Sequence, residues 1–422
     1  MFRALPLNCG DTVNGDTTFA TNVNPDCLAS ISNYGVRYTF TGTGSQMIVT
    51  AAPSSSYNVK LSVLTGTACG SFANVPGGCT NAGGGNGAVE QFSFNSTLNT
   101  TYYVYVAHPL AGSTATGAFT LSLECCNPVT DSTPSCGVVA GGLGLNGANP
   151  PSINCSSGGC VDLEAEYIKI GNTTSYRVEQ IPYNPPATGT LLPIAGLLDD
   201  TFSNIIALPW DFCFYGTTYN DFVYGANGVI SFDSARLAGG GSGYRTLYNI
   251  PNAINASFLG DYYFGPSIFG VHHDIDPSKG TPNIGRRIDT TPGCERMIIV
   301  WENVPMYSNN SILYSGKMVL YKNTNIIEVY IQEKRIDTGG PWNDGNAAVG
   351  LQENATNGIA APCRNTLSPN WTVTTGEAWR FVPDDGDITS IRWLADTGSG
   401  FAYVPAYDGN DTPNVCPTTT TT

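Results

Sequence analysis

The chain has 422 residues, 33 acidic and 18 basic, for a formal net charge of −15. A field of that sign argues against nucleic acid or anionic lipid as a partner and leaves divalent cations open. Charged side chains are 12 % of the total, half the ~25 % of an ordinary globular protein, so polarity rests on uncharged groups, and the length predicts two to four domains with true cores.

From YGVRYTFTGTGSQMIVTAA at residue 34, through YNVKLSVLTG, to TYYVYVAH and GAFTLSLECC, short alternating segments rich in Val, Thr, Tyr and Phe are separated by Gly, Ser, Asn and Pro. That pattern predicts an antiparallel β-sandwich over residues 1–126, each strand with one apolar face. Cys69 and Cys79 bracket a short loop and are the expected local disulfide. His108 follows a strand and precedes Pro109, which reads as a strand-end side chain rather than a catalyst.

Residues 127–160, dense in Gly, Pro, Ser and Cys and without periodicity, read as a linker or an irregular loop tied by disulfides. Gly142, Gly144 and Gly147 satisfy GxGxxG there, but no strand precedes them and no helix follows, so a dinucleotide site is not expected. The Gly run LAGGGSGYR at 237–245 lacks the GKS/T ending of a phosphate loop, and no GxSxG elbow occurs.

A second β block is expected over 161–386, with strands at NIIALPWDFCFYG, GVISFD, RMIIVWENVPM, KMVLYKN, NIIEVYIQEK and AAVGLQEN. No segment shows a sustained 3.6-residue period, so helices should be short and few. Residues 387–422 read as the opening of a further β domain. The fold class is therefore all-β, with tandem antiparallel β-sandwich domains.

Thirteen cysteines without a CxxC pair suit a disulfide-bearing extracellular protein better than zinc or redox chemistry, and the odd count suggests one cysteine, such as Cys416, pairing elsewhere. No run of 18 apolar residues occurs, so no transmembrane segment is expected. The start MFRALPLNCG is too short for a signal peptide and VCPTTTTT stops without a domain end, so the expectation is a fragment of a longer exported chain.

Several patterns admit chemistry. Glu164 with Glu166, and Asp199 with Asp200, are carboxylate pairs; glycoside hydrolysis would need separations of about 5 to 9.5 Å, and solvated strand edges or an N-cap are the preferred reading. Tyr262, Tyr263, Trp342 and Trp371 form a carbohydrate-stacking platform if they lie at the surface, although such residues more often fill a β core. Nine N-x-S/T sequons, among them Asn95, Asn172, Asn255 and Asn354, mark loops rather than function.

The stretch GVHHDIDPSKG, 270–280, holds two of the three histidines. As a strand it puts His272, Asp274 and Asp276 on one face and Val271, His273 and Ile275 on the other, with Pro277 and Gly280 ending it in a turn. Zinc is disfavoured because the histidines face opposite ways. Asp274 and Asp276 are the candidate metal ligands, for calcium, if the turn bends them together and other oxygens complete six to eight ligands. The preferred reading is a structural acidic turn that can hold an ion, and no catalytic residue is assigned.

The second block resembles the nidogen-like extracellular domain through FGVHHDIDPSKGTPNIGRRID followed by CERMIIVWENVP. More widely, IPYNPP, LPWDFCFYGTTYNDFVYGANGVISFD, WNDGNAAVGLQENATNGIAAPCRNT and EAWRFVPDDG resemble adhesin-like surface proteins of gliding Bacteroidetes. The first block is similar to pre-peptidase C-terminal domains through NCGDTVNGDT, YTFTGTGS and YNVKLSVLTG, and the tail looks like the start of an Ig-like module. These resemblances imply type IX secretion, cell-surface display and no established catalytic residue. Where such a first sandwich often carries an Asp-rich loop, this chain has NAGGGNGAVEQFSF, so no calcium is expected in that domain.

The combined expectation is a non-enzymatic surface protein acting in adhesion or as a structural element. Its partners would be a neighbouring surface protein or a second copy, met through loops and sheet edges. The alternative is a glycan-binding accessory region of a secreted hydrolase whose catalytic domain lies elsewhere.

Overall fold

The computed structural model describes residues 4–20, 31–66, 72–81, 83–126, 133, 135, 160–163, 167–194, 197, 199–240, 250, 264–307, 309–336, 347–365, 371–388, 393–396, 399–410 and 412–415. They fall into two units, 1–130 with 362–369, and 131–361 with 370–422. The fold is all-β, as the alternating patterns predict. Among the described residues the helices are Ser234–Leu237 and the 3₁₀ turn Pro405–Tyr407.

In the first unit a five-stranded sheet runs in the order Leu5–Pro6, Gly35–Thr41, Thr101–Ala107, Lys60–Thr65, Ala73–Thr80. It faces a four-stranded sheet ordered Thr12–Asp16, Ala118–Cys125, Gln46–Pro53, Glu90–Asn95. Pairing is antiparallel except where Leu5–Pro6 runs parallel to Gly35–Thr41. The strand Ala118–Cys125 shows the cause of this architecture directly: Phe119, Leu121, Leu123 and Cys125 are buried and the residues between them are not. A period of two sends every second side chain into the layer between the sheets. There they meet Met47, Val49, Leu61, Val63 and Val104.

The second unit pairs a seven-stranded sheet with a six-stranded one. The first has the order Asn172–Ile181, Glu377–Asp385, Ile327–Glu333, Leu313–Tyr321, Arg296–Pro305, Asn283–Asp289, Leu192–Pro193. The second has Ile206–Phe214, Thr217–Gly225, Val229–Ser231, Ser267–His272, Ala348–Asn354, Asn357–Ala360. Met297, Ile299 and Trp301 point into the layer between them, where Trp301 stacks on Tyr224 at 4.0 Å. Their neighbours Ile298 and Val300 are equally buried, on the opposite face, with Val319, Tyr330 and Val382. The uninterrupted apolar run MIIVW has this origin, since a strand covered on both faces needs apolar residues at consecutive positions.

On that outer face Arg380, 1 % exposed, donates through Nε and Nη2 to Glu179 at 2.9 and 2.7 Å. Its Nη1 reaches the Thr133 carbonyl and Ser135 Oγ. Ser135 in turn donates to Glu328, which also accepts from the Tyr321 and Tyr330 hydroxyls at 2.7 and 2.8 Å. Thr133 and Ser135 belong to the stretch read as a linker, and they supply hydrogen bonds that let these buried charges persist.

Disulfides join Cys9 to Cys125 and Cys126 to Cys363. Cys79 is also disulfide-bonded, while Cys69 and Cys416 lie outside the described residues. Cys213 is a free thiol. Residues after 386 contribute Asn414–Val415, which pairs antiparallel with Val161–Asp162.

A candidate cation centre of three aspartates

The strand Ser267–His272 ends two residues before Asp274, after a register shift between Phe269 and His272. Ile275 then bridges to Met306, and the Asp276 amide donates to the Pro305 carbonyl at 2.8 Å. The two-faced reading nevertheless survives the bulge. Val271 and Ile275 enter the main core, and the His273 ring packs edge-on against Tyr314 at 4.8 Å. His272 lies on the other side, against Phe264 and Phe269.

Neither histidine is presented to solvent. His272 and His273 are 0 % and 1 % exposed, and their Nδ1 atoms lie 3.1 and 2.9 Å from the carbonyls of Asn227 and Val271. Burial, aided by nearby Lys334, pushes the His273 pKa down to about 3, so this ring is neutral at any physiological pH and transfers no proton there. The third, His108, has Nδ1 accepting from the Leu110 amide at 3.2 Å, which matches its reading as a strand-end residue.

Asp274 is 1 % exposed. It does not converge with Asp276 alone. The carboxylates of Asp199, Asp200 and Asp274 come together with one oxygen of each within 4.8 Å of the others. Asp276, itself 4 % exposed, has Oδ1 occupied by the amide and hydroxyl of Ser278 in the turn, and adds its charge from alongside. Asp199 and Asp200 thus depart from their reading as solvated strand edges or an N-cap. They sit in a half-buried turn, Asp200 at φ +54°, aimed at the segment that carries Asp274.

Asn227 holds the two segments together. It is fully buried; its side-chain amide donates to Asp200 at 3.0 Å and its side-chain carbonyl accepts the Ile275 amide at 2.9 Å. Asn227 occupies the turn between Thr217–Gly225 and Val229–Ser231, next to Gly228 at φ +76°. A Cβ on Gly228 would lie 2.1 Å from the Val271 carbonyl oxygen, so conformation and contact both demand glycine. The sequence signal for this clamp is the Asn-Gly dipeptide in YGANGV, which marks a hairpin but not which groups its Asn would bridge.

The electrostatic result is a set of carboxylates held against their own repulsion. Burial first, then Asp200, Asp199 and Asp276, raises Asp274 to about 7. Burial and then Asp200 and Asp276 raise Asp199 to about 6, with Lys279 opposing. Asp200 is raised by burial and Asp276 and eased by its bond from Asn227. Asp199 Oδ1 is a buried atom with no hydrogen-bond donor. Such a cluster binds protons at neutral pH or accepts a hard cation.

The remaining candidates divide between packing and residues outside the described set. Trp371 is 4 % exposed, donates from Nε1 to the Ala347 carbonyl at 3.2 Å and carries Lys334 Nζ over its ring at 4.6 Å. It is a core residue, which removes it from any stacking platform. Tyr262, Tyr263, Trp342, Glu164, Glu166, Asn255 and the GLGLNG glycines lie outside the described residues.

The stacked antiparallel sheets and the disulfides that brace them define the chain as one of disulfide-bearing β-sandwich modules. Residues 175–390, just over half of the sequence, match the NIDO-related family, and the chain belongs to that family. Among solved structures it is similar to the pre-peptidase C-terminal domain of collagenase from Bacillus anthracis, at 15 % identity and a TM-score of 0.20 over 29 % of this chain and 97 % of that one. It is also similar to PliG of Aeromonas hydrophila, a periplasmic inhibitor of g-type lysozyme, at 15 % identity and a TM-score of 0.18 over 29 % and 98 %. At those scores neither likeness bears on activity. A search of curated proteins finds no significant match. Among the described residues no helix is long and apolar enough to cross a membrane.

Proposed function

We propose that the chain is a non-enzymatic part of a secreted surface protein, acting in adhesion or as a structural element, and that its aspartate cluster takes a calcium ion. The observation that carries the first half is the fate of the ionisable groups. Two histidines are buried on backbone carbonyls. One carboxylate oxygen from each of Asp199, Asp200 and Asp274 lies within 4.8 Å of the others, a spacing at which the three can share one cation. The family match and the disulfides support export. The sequence resemblance extends the reading to surface proteins of gliding Bacteroidetes that use the type IX route.

Calcium suits the donor set because hard carboxylate oxygens are its ligands, and the side chains of Asp199, Asp200 and Asp274 would hold it with water or other oxygens making up six to eight. Binding there would turn two segments with mutually repelling carboxylates into one braced unit. Its role would be structural, stiffening loops at the end of the six-stranded sheet rather than polarising a substrate.

The attachment reading is tested by coating beads with the oxidised chain and measuring adhesion to cells and to beads bearing the same chain, beside a glycan array. The expected result is adhesion or self-association with an array at background. Saturable binding to one glycan class, with no attachment otherwise, would favour the hydrolase-accessory alternative and sink the adhesive one.

A further inference from the structure

Cys125 and Cys126 are adjacent, and each closes a different disulfide, to Cys9 and to Cys363. A continuous covalent path therefore runs from Cys9 across to Cys125, through one peptide bond to Cys126, and across to Cys363. The two loops it bypasses have sequence separations of 116 and 237. They contain nearly all of the first sandwich and the nidogen-like sheets up to the strand Asn357–Ala360.

We infer that these four cysteines form a tension-bearing spine, so that pulling on the chain beyond Cys9 and Cys363 loads the spine and leaves both bypassed loops unstretched. Tension follows the shortest covalent path, and neither loop can be extended from its ends while the disulfide across its base is intact. The crossing Cα–Cα distances are 5.3 and 5.6 Å. Cys125, Cys126 and Cys363 are buried, at 5 %, 7 % and 1 % exposure, while Cys9 lies at the surface. Cys126 and Cys363 pack together on Ile48, and the Cys363 amide donates to Glu124, so the exit of the spine is anchored in the first unit.

Beyond Cys363 the loaded chain enters the strand Glu377–Asp385. That strand is hydrogen-bonded along both edges, to Asn172–Ile181 and to Ile327–Glu333. It buries Trp379 and Phe381 on one face and Ala378 and Val382 on the other, with Arg380 ion-paired to Glu179. The long strand left in the load path is therefore held on both edges and both faces. The surface-protein reading supplies the source of tension, but the spine is a property of the covalent chain and is testable without any partner.

The test is single-molecule stretching of the 422-residue chain between handles at its two ends. At ~3.3–3.6 Å per extended residue, the oxidised chain should gain at most about 230 Å of contour, from the residues before Cys9 and after Cys363. Paired Cys126→Ser and Cys363→Ser substitutions should add up to about 800 Å, less whatever the disulfides at Cys160 and Cys294 retain. The folded native chain, reduced in the trap with dithiothreitol, which takes each disulfide to two thiols and itself closes to a cyclic disulfide, should gain about 1,200 Å more than the oxidised one. This arm does not depend on the variant folding. An oxidised chain that extends by many hundreds of ångströms, or a reduced one that gains no more than the oxidised, would overturn the inference.

Discussion

Arg380→Met lowers the melting temperature of the second unit by about 10 °C, the equivalent of roughly 3–5 kcal/mol, because it removes one side of a buried charge pair and leaves the other. Arg380 is 1 % exposed and its bonds to Glu179 cross between neighbouring strands of the seven-stranded sheet. Glu179 would keep its contact to Arg177 at 2.8 Å, but that pair is more exposed and worth little. The Thr133 carbonyl and Ser135 hydroxyl would lose their donor and partner as well. Methionine retains most of the volume, so the loss reads the charge and its hydrogen bonds rather than a cavity. Calorimetric scans of both proteins check it, and a shift under about 2 °C would show that the network is replaceable.

The second large effect is a fall in stability with rising pH in cation-free solution. Asp274 and Asp199 titrate near 7 and 6 in the folded chain, against 3.8 for a free aspartate. Below about pH 4 both states hold these protons and the groups contribute no difference. Between about 4 and 7 the unfolded chain has released protons that the folded chain keeps, so folding loses free energy as pH rises, and the full penalty persists above 7. With a chelator present, the melting temperature should drop from pH 5 to pH 8. Asp274→Asn should flatten that slope and make the cation-free protein more stable at pH 8 than its parent. A melting temperature that rises over this interval would mean the carboxylates are not held in mutual repulsion.

Much of the fold was legible because β structure leaves local traces. Residues 118–125 alternate, MIIVW at 297–301 is continuous, and each pattern states how many faces of its strand are covered. The candidate site was legible only in halves. Asp199 with Asp200 and Asp274 with Asp276 each stand out as acidic pairs, but more than seventy residues separate the pairs, and nothing local says that they meet. Their meeting depends on Asn227, whose two side-chain bonds reach 27 and 48 residues along the chain. Trp371 is a different case: it stands in a polar stretch, SPNWTVTTG, and the preferred reading of such an aromatic as β core holds because the sheet closes over it.

The account turns on whether the three aspartates share a cation, and calorimetric titration of calcium into the chelator-stripped chain at pH 7 decides it. A single saturable site is predicted, absent in Asp274→Asn. Its apparent heat should change with the ionisation heat of the buffer, because the ion displaces a proton from Asp274. The melting temperature should rise with calcium in the parent alone. Heats at the dilution baseline, with identical melts in calcium and in chelator, would contradict the account and leave the cluster as a proton-sharing acidic turn.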